Sequence, residues 1–191
     1  GALARSTASE GQLHASADSS AVSSASISDS NGIAAQATAL ARWSDGFTVP
    51  GSGSMFLTAG TLRAQLFLTG DLAVVLNPFE PSDHPFGGAG ARIVGTGLNH
   101  VSTGPTACGG WNYCDYYVEQ PPSNSVSYND FPGVTIPVEI SFIFGRQTDI
   151  AYTLDVWSDA RGFSYPGGSG TAASASSDFG NTLRWGGITG I

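Results

Sequence analysis

The sequence predicts an all-β protein, a single antiparallel β-sandwich domain of the jelly-roll type. Three observations lead to this prediction. Apolar and polar residues alternate over several segments, clusters of Gly and Pro separate these segments, and roughly ten short strand-like runs follow one another. Strands at such spacing, without helical patterns between them, are typical of antiparallel sandwiches and jelly rolls.

The clearest alternation lies in the second half of the chain. Every second residue from Val134 to Phe144 is apolar, and the pattern recurs from Ile150 to Val156. Pro137 has no backbone donor, which predicts an unpaired side or an edge position for the first of these strands. Residues 145–149 are expected to join the two strands as a hairpin connection.

An earlier segment has the same character. Leu62, Ala64, Leu66 and Leu68 form one apolar face, and Thr69-Gly70-Asp71 is expected to turn the chain into a further strand at 72–76. Residues 54–76 and 133–157 are therefore predicted to hold the heavy part of the core.

Residues 33–43 alternate too, but with many alanines. Since Ala is the best helix former, a helix is the alternative there. Serine competes for backbone hydrogen bonds and disfavours helix interiors, so strand is favoured for 33–43 and for the serine-rich segment 12–28.

Two stretches near the ends consist mainly of Ala and Ser. Eleven of the eighteen residues from 11 to 28 are Ala or Ser, and a second stretch runs from Gly170 to Gly180. Such segments bury little apolar area, so we expect strands at the margins of the sandwich, held by backbone hydrogen bonds. Residues 1–30 are predicted to form a strand segment that either closes its own sheet or extends a neighbour's, and 31–191 to form the sandwich domain.

Composition excludes several partners. The net charge is -8, only 12% of residues are charged, and the seven basic residues are scattered arginines. Nucleic acids and anionic membranes require clustered cations, so neither is expected as a partner. No apolar run approaches the ~20 residues of a transmembrane helix. The first residue is Gly1 and the only methionine is Met55, which predicts a processed chain or a fragment.

Cys108 and Cys114 enclose a short loop that contains two glycines. An even cysteine count at this spacing predicts an intrachain disulfide in an oxidising compartment, with two free thiols as the alternative. A loop this short gains little closure entropy, so the bond would mainly shape the loop.

The two small-residue stretches also carry a resemblance. Residues 5–28, with Gly11-Gln12-Leu13-His14-Ala15-Ser16-Ala17 at their centre, resemble the start of secreted bacterial proteins of the PEP-CTERM-sorted type. Residues 173–183 resemble the last strand pair before the sorting tail of those proteins. The resemblance implies export, a β-rich fold and association with extracellular polysaccharide, and it implies no catalytic residues. The Pro-Glu-Pro motif is absent before Ile191, so the tail is expected either to have been removed or never to have existed.

Signals for catalysis are weak. Asp115 with Glu119, and Asp155 with Asp159, have spacings that place each pair on one strand face, where they could serve glycoside hydrolysis or simply be solvated acids. Calcium is the one cofactor considered, because Glu80 and Asp83 lie in a long loop and could supply oxygen ligands. Otherwise no metal or cofactor is expected. The three histidines lie far apart in the sequence, without metal-binding spacing.

Aromatic residues crowd the cysteine loop. Trp111, Tyr113, Tyr116 and Tyr117 could form a stacking surface for sugar rings, or they could pack on the domain and cover its core.

The function predicted first is a non-enzymatic extracellular structural protein. In this hypothesis each subunit donates its N-terminal strand to the next, and the head-to-tail contact propagates into a fibre of a biofilm matrix. The predicted assembly strand comprises Leu13, Ala15, Ala17, Ala21, Ala25 and Ile27. The alternative is a monomeric secreted carbohydrate-binding module that uses the aromatic cysteine loop, and a secreted hydrolase ranks third.

Overall fold

The structure is a computed structural model that describes residues 1–24, 31–78, 85–98, 106–109, 113–120, 126–129, 133–164 and 170–191. For some of these it describes the backbone alone, namely residues 24, 31, 77–78, 106–109, 113–120, 126–129, 163–164, 170 and 180–182. No helix in the described part of the chain is long and apolar enough to cross a membrane.

The described residues form twelve strands and one short 3-10 helix, Gly53–Met55. The strands are β1 (Ala2–Ser9), β2 (Gln12–Ser24), β3 (Asn31–Thr48), β4 (Ala59–Leu68), β5 (Asp71–Pro78), β6 (Phe86–Gly95), β7 (Thr106–Gly109), β8 (Tyr113–Gln120), β9 (Val126–Asn129), β10 (Val134–Ile143), β11 (Gln147–Ser164) and β12 (Gly170–Gly190).

The strands form two antiparallel sheets that pack face to face. Sheet A has the order β1-β2-β12-β4-β10. Strand β4 pairs with the C-terminal half of β12, and β5 pairs with its N-terminal half. Strand β9 pairs with β5. Sheet B has the order β3-β11-β6-β8-β7. Strand β2 packs over β3 and β11, and β12 packs over β11 and β6. The predicted all-β sandwich is confirmed.

The alternation of the sequence decides which side chains enter the core. Ile136, Val138, Ile140 and Phe142 of β10 are buried, as are the predicted apolar residues of β4 and β11, while their polar neighbours face outward. Strand β10 ends the sheet order, so the edge position predicted from Pro137 is confirmed. Residues 33–43 lie within strand β3, as predicted.

Two predicted turns are wrong. Strands β4 and β5 both run antiparallel to β12 and so point the same way, which makes Thr69–Asp71 a kink and not a reversal. A Cβ atom on Gly70 would overlap the Phe179 ring and the Asp178 carbonyl, so a glycine is required at this junction. Residues 145–149 do not close a hairpin, because β10 lies in sheet A and β11 in sheet B. Turn residues mark where a strand ends but carry no information on the sheet that receives the next strand.

The marginal position predicted for the small-residue stretches is also wrong. Strand β2 lies between β1 and β12, and β12 is the central row of sheet A. Their Ala and Ser side chains allow the backbones of the two sheets to approach closely. A Cβ atom added to Gly162 of β11 would lie 3.3 Å from the backbone nitrogen of Ser23 in β2.

Ser177 of β12 makes a close polar contact between the sheets. Its buried Oγ accepts a hydrogen bond from the Gly90 backbone N–H at 2.9 Å. The same hydroxyl can donate to the carbonyl of Trp157 at 2.6 Å or to that of Gly90 at 3.0 Å. One small side chain thus binds the backbones of β6 and β11 to sheet A.

Removing this hydroxyl should destabilise the fold. We expect Ser177→Ala to lower the free energy of unfolding by about 1–3 kcal/mol, because a buried backbone donor loses its partner. Urea unfolding monitored by tryptophan fluorescence measures the change. The matched control is Ser176→Ala, one residue away on the outer face of the same strand, where a change within about 0.5 kcal/mol is expected. Equal effects of the two substitutions would contradict the role given to Ser177.

Candidate functional site

The outer face of sheet B brings together a tryptophan, two carboxylates and two arginines. Alternate residues of β11 face the core, so the residues between them face outward, and the strand register extends this face across β3 and β6. We call this surface the Trp157 platform. Its described residues include Gln36, Thr38, Leu40, Gly88, Gly90, Arg92, Asp155, Trp157, Asp159 and Arg161.

Trp157 lies at the centre of the platform, directly opposite Gly90 in the β11–β6 register. A Cβ atom on Gly90 would overlap the indole ring, so the ring lies against the glycine backbone. Only a glycine leaves room for this contact, and Gly88 stands at the next outward position of β6. The ring is partly exposed, and it is held on a strand within the sheet instead of a loop.

Asp159 lies on one side of Trp157 in a network of hydrogen bonds. Arg161 Nε donates to both carboxylate oxygens, at 3.1 and 2.9 Å, and Gln36 Nε2 donates to Oδ2 at 3.1 Å. The hydrogen bond and the charge of Asp159 raise the pKa of Arg161. The Arg161 guanidinium also stands 5.4 Å from the Phe86 ring centroid. These contacts hold a charged, hydrogen-bonding group in one orientation beside the ring.

Asp155 lies on the other side of Trp157 and is incompletely satisfied. Its Oδ1 atom is buried and has no hydrogen-bond partner. Burial raises the pKa of Asp155, while the positive charge of Arg92, its register partner in β6, acts to lower it. A buried carboxylate oxygen without a donor costs free energy.

Strand β8 pairs with β6, and its residues continue the cross-strand rows to which the platform residues belong. Its register places Asp115 opposite Arg92, Tyr117 opposite Gly90 and Glu119 opposite Gly88. Tyr113 belongs to a neighbouring outward row, opposite Val94. Three of the predicted acidic and aromatic residues therefore share rows with platform residues, and Tyr113 lies on the same face.

Of the other two predicted aromatic residues, Tyr116 does not share this position. Tyr116 stands opposite Ala91, in a row whose described members face the core. Trp111 lies outside the described residues. The cluster predicted around the cysteine loop thus stays a prediction, whereas Trp157, Gln36 and Arg161 were missed. Trp157 gave a signal that could have been used, because a tryptophan at an outward position of an alternating strand is unusual.

The predicted carboxylate pairs share one face, as their spacing suggested, but they are widely separated along it. Four residues of extended strand place the Cα atoms of Asp155 and Asp159 roughly 13 Å apart. Trp157 stands between these two residues on the same face.

Other predicted sites fall partly or wholly outside the described residues. The β7–β8 register places Cys108 opposite Cys114, but their sulfur atoms are not described, so the disulfide stays a prediction. Glu80 and Asp83 lie outside the described residues, and the calcium prediction is untested. Where side chains are described, no three His, Cys, Asp or Glu residues come together to hold a metal ion.

The predicted assembly strand lies inside its own sheet. Leu13, Ala15, Ala17 and Ala21 face the core from β2 and are at most 2% exposed. Ala25 and Ile27 lie outside the described residues. Strand β2 pairs with β1 on one side and with β12 of the same chain on the other.

A second concave surface lies at one end of the sandwich. This end cleft has a volume of about 430 Å³ and an aromatic wall formed by Trp43, Phe47 and Trp185. The Trp43 ring stacks on buried Tyr152 with centroids 6.1 Å apart, and Trp185 lies at the same distance from Tyr152. These aromatic rings pack on one another and close the end of the core.

The raised pKa of Asp155 predicts a pH dependence. Its folded-state pKa exceeds its ordinary value of 3.8, so the wild-type protein loses stability as pH rises from below that value through the folded pKa. Asparagine does not titrate. The unfolding free energy of Asp155→Asn should therefore increase relative to wild type across this acidic interval, as measured by urea unfolding from pH 3 to 7. A difference that stays constant with pH would contradict the burial of this carboxylate.

Comparisons with known proteins leave the chain without a family. No family model matches the sequence, and no curated protein matches it. One solved structure, described as "Structure of infectious bursal disease virus Gx strain", is similar over 83% of this chain and 46% of that chain, with 12% identity and a TM-score of 0.16. The chain spans about half the length of that chain, and a similarity this low supports no conclusion about function.

Proposed function

We propose that this protein is a non-enzymatic carbohydrate-binding protein of an extracellular matrix, and that a neutral glycan binds on the Trp157 platform. One observation carries the proposal. A partly exposed indole lies on a glycine surface within a rigid sheet, flanked on both sides by carboxylates.

The chemistry of the platform suits a sugar ring. The C–H face of a pyranose is apolar and packs on an aromatic ring, while its hydroxyl groups radiate outward in the ring plane. The Asp155 and Asp159 carboxylates lie on opposite sides of the indole and are acceptors for such hydroxyls. Arg161 and Gln36 are donors, and their bonds to Asp159 keep the network ordered before a ligand binds.

The charges of the platform favour a neutral glycan. The two described carboxylates are balanced by Arg92 and Arg161, and the register adds Asp115 and Glu119 from β8 without adding a cation. The whole chain has a net charge of -8. A polyanionic glycan would therefore be repelled, both at the platform and at longer range. The resemblance to exported matrix proteins supports a polysaccharide as the ligand.

The proposal predicts a loss of binding in Trp157→Ala. Affinity electrophoresis in gels that contain hydroxyethylcellulose, xylan or a β-glucan compares mobility with and without the glycan. Where the wild-type protein is retarded, Trp157→Ala should weaken binding at least about tenfold, or about 1.4 kcal/mol. Trp157→Phe, which keeps an aromatic face, should retain part of the binding.

Two control variants define the outcome. Phe67 is a partly exposed aromatic residue on the outer face of sheet A, 5.4 Å from the Arg184 guanidinium carbon, and Phe67→Ala should leave binding unchanged. Trp185→Ala removes part of the aromatic wall of the end cleft. Loss of binding in Trp185→Ala but not in Trp157→Ala would move the site to the end cleft. No retardation of the wild-type protein in any of the gels would overturn the proposal.

Assembly by strand exchange is a second candidate function. The pairing of β2 with β12 supports it. These two strands pair over a long antiparallel register and carry mainly small side chains. The β1–β2 hairpin of another copy would therefore fit beside β12 equally well. Exchange would require the whole hairpin to leave and to carry its buried residues with it.

A cross-link distinguishes exchange from pairing within one chain. Ser20 and Ser174 stand opposite each other on the outer side of β2 and β12. If copies exchange hairpins, the oxidised double variant Ser20→Cys/Ser174→Cys should give a ladder of covalent oligomers on a denaturing gel. A band of cross-linked monomer alone would overturn the exchange hypothesis.

A further inference from the structure

The outer edge of β1 is an open edge of sheet A. All eight residues of β1 are exposed, and within the described residues the strand pairs with β2 only. An exposed edge strand presents unpaired backbone N–H and C=O groups, to which another strand can add.

The terminal hydrogen bonds show which backbone groups are unpaired. The Gly1 amino group donates to the Ser20 carbonyl at 2.6 Å, and the Ser20 N–H donates to the Gly1 carbonyl at 2.8 Å. Gly1 and Ser20 are thus a hydrogen-bonded pair. Because such pairs alternate along an antiparallel ladder, the odd residues of β1 bond to β2 and the even residues direct N–H and C=O outward. The outward set is Ala2, Ala4, Ser6 and Ala8.

Nothing in the sequence of β1 protects this edge. Strands at sheet edges are commonly protected by proline, a bulge or several charges. Strand β1 contains no proline, its register with β2 is unbroken, and its one charged residue is Arg5. The outward residues carry only Ala and Ser side chains, which do not obstruct an approaching strand.

We propose that a second copy of this chain pairs with β1 through its own β1, antiparallel and about a two-fold axis, with Ala4 opposite Ala4. In this register Ala2 stands opposite Ser6 of the second copy, and Ser6 stands opposite Ala2 of the second copy. All three resulting residue pairs consist of outward-directed residues, so each can form both of its backbone hydrogen bonds.

Charge favours this register over the one that pairs Ala2 with Ala8. With Ala4 opposite Ala4, Arg5 stands opposite Leu3 of the second copy, and the next position in that row is Asp18 of the second copy, which is exposed. The long Arg5 side chain can lie over the leucine and bring its guanidinium towards that carboxylate. The register that pairs Ala2 with Ala8 would place Arg5 directly opposite Arg5, which is unfavourable.

The same pairing affects sheet B. A two-fold axis perpendicular to sheet A keeps the two B sheets on one side and brings their β3 edges next to each other. Strand β3 packs beneath β1 and is itself the edge of sheet B, with eighteen residues and no proline. The dimer would therefore bring the β1 and β3 edges of one copy next to those of the other.

Sedimentation velocity of the whole chain over a range of concentrations tests the proposal. The wild-type protein should show a monomer–dimer equilibrium. Ala4→Pro removes an outward N–H and no bond to β2, so it should raise the dimer dissociation constant at least tenfold. Ala8→Pro is the matched control, since it removes an outward N–H beyond the proposed pairing, and it should leave the dissociation constant unchanged.

A charge reversal gives an independent test that does not depend on proline. Arg5→Glu should weaken the dimer, because it brings a second carboxylate towards Asp18 of the second copy, and Arg5→Glu/Asp18→Arg should restore it. A wild-type protein that stays monomeric, or equal effects of Ala4→Pro and Ala8→Pro, would overturn the proposal. So would a double variant as weak as the single one. Edge pairing is separable from hairpin exchange, because the Ser20→Cys/Ser174→Cys cross-link would then form within each chain while the non-covalent dimer persists.

Discussion

The close approach of two backbones at Gly90 is the constraint on which most of this structure depends. From the core side, the Ser177 hydroxyl binds the Gly90 amide, and from the outer side the Trp157 indole occupies the space of the missing Cβ. A side chain at position 90 would displace the indole from the outer face. Because Ser177 can also bind the Trp157 carbonyl, one hydroxyl joins the strand that carries the indole to the strand on which the indole rests.

This contact explains why small residues occupy the middle of sheet A. Larger side chains on the inner faces of β2 and β12 would move the sheets apart and break the bond from Ser177 to β6. Ala and Ser bury little apolar area, so the hydrophobic stabilisation comes mainly from the Leu, Ile, Val and aromatic residues of β4, β5, β10 and β11. The sandwich is therefore thin where the platform lies above it and heavily packed elsewhere.

The two proposed surfaces depend on different properties of the same architecture. The platform needs a rigid central part of sheet B, where strands on both sides hold the indole and the carboxylates in place. The dimer contact needs the opposite situation, a strand with one unpaired side and small residues. The residues that pair in the proposed dimer belong to β1 of sheet A, whereas the platform residues belong to β3, β6 and β11 of sheet B.

Local pattern was sufficient to predict the strands and the burial of their side chains. The period of two in 134–144 and 150–156 placed Ile136, Phe142, Tyr152 and Leu154 in the core, and the missing donor of Pro137 placed its strand at an edge. These properties follow from residues next to one another in the chain.

Which strands are neighbours was decided only by the tertiary structure. The alternation of residues and the turn residues do not show whether β11 pairs in the same sheet as β10 or in the opposite sheet. No local feature of the Ala- and Ser-rich segments shows that they form inner strands of sheet A. The platform, too, was decided only by the tertiary structure. Gln36, Gly90 and Trp157 are distant in sequence, and they meet because strand register, which depends on long-range pairing, places them in adjoining positions on one face.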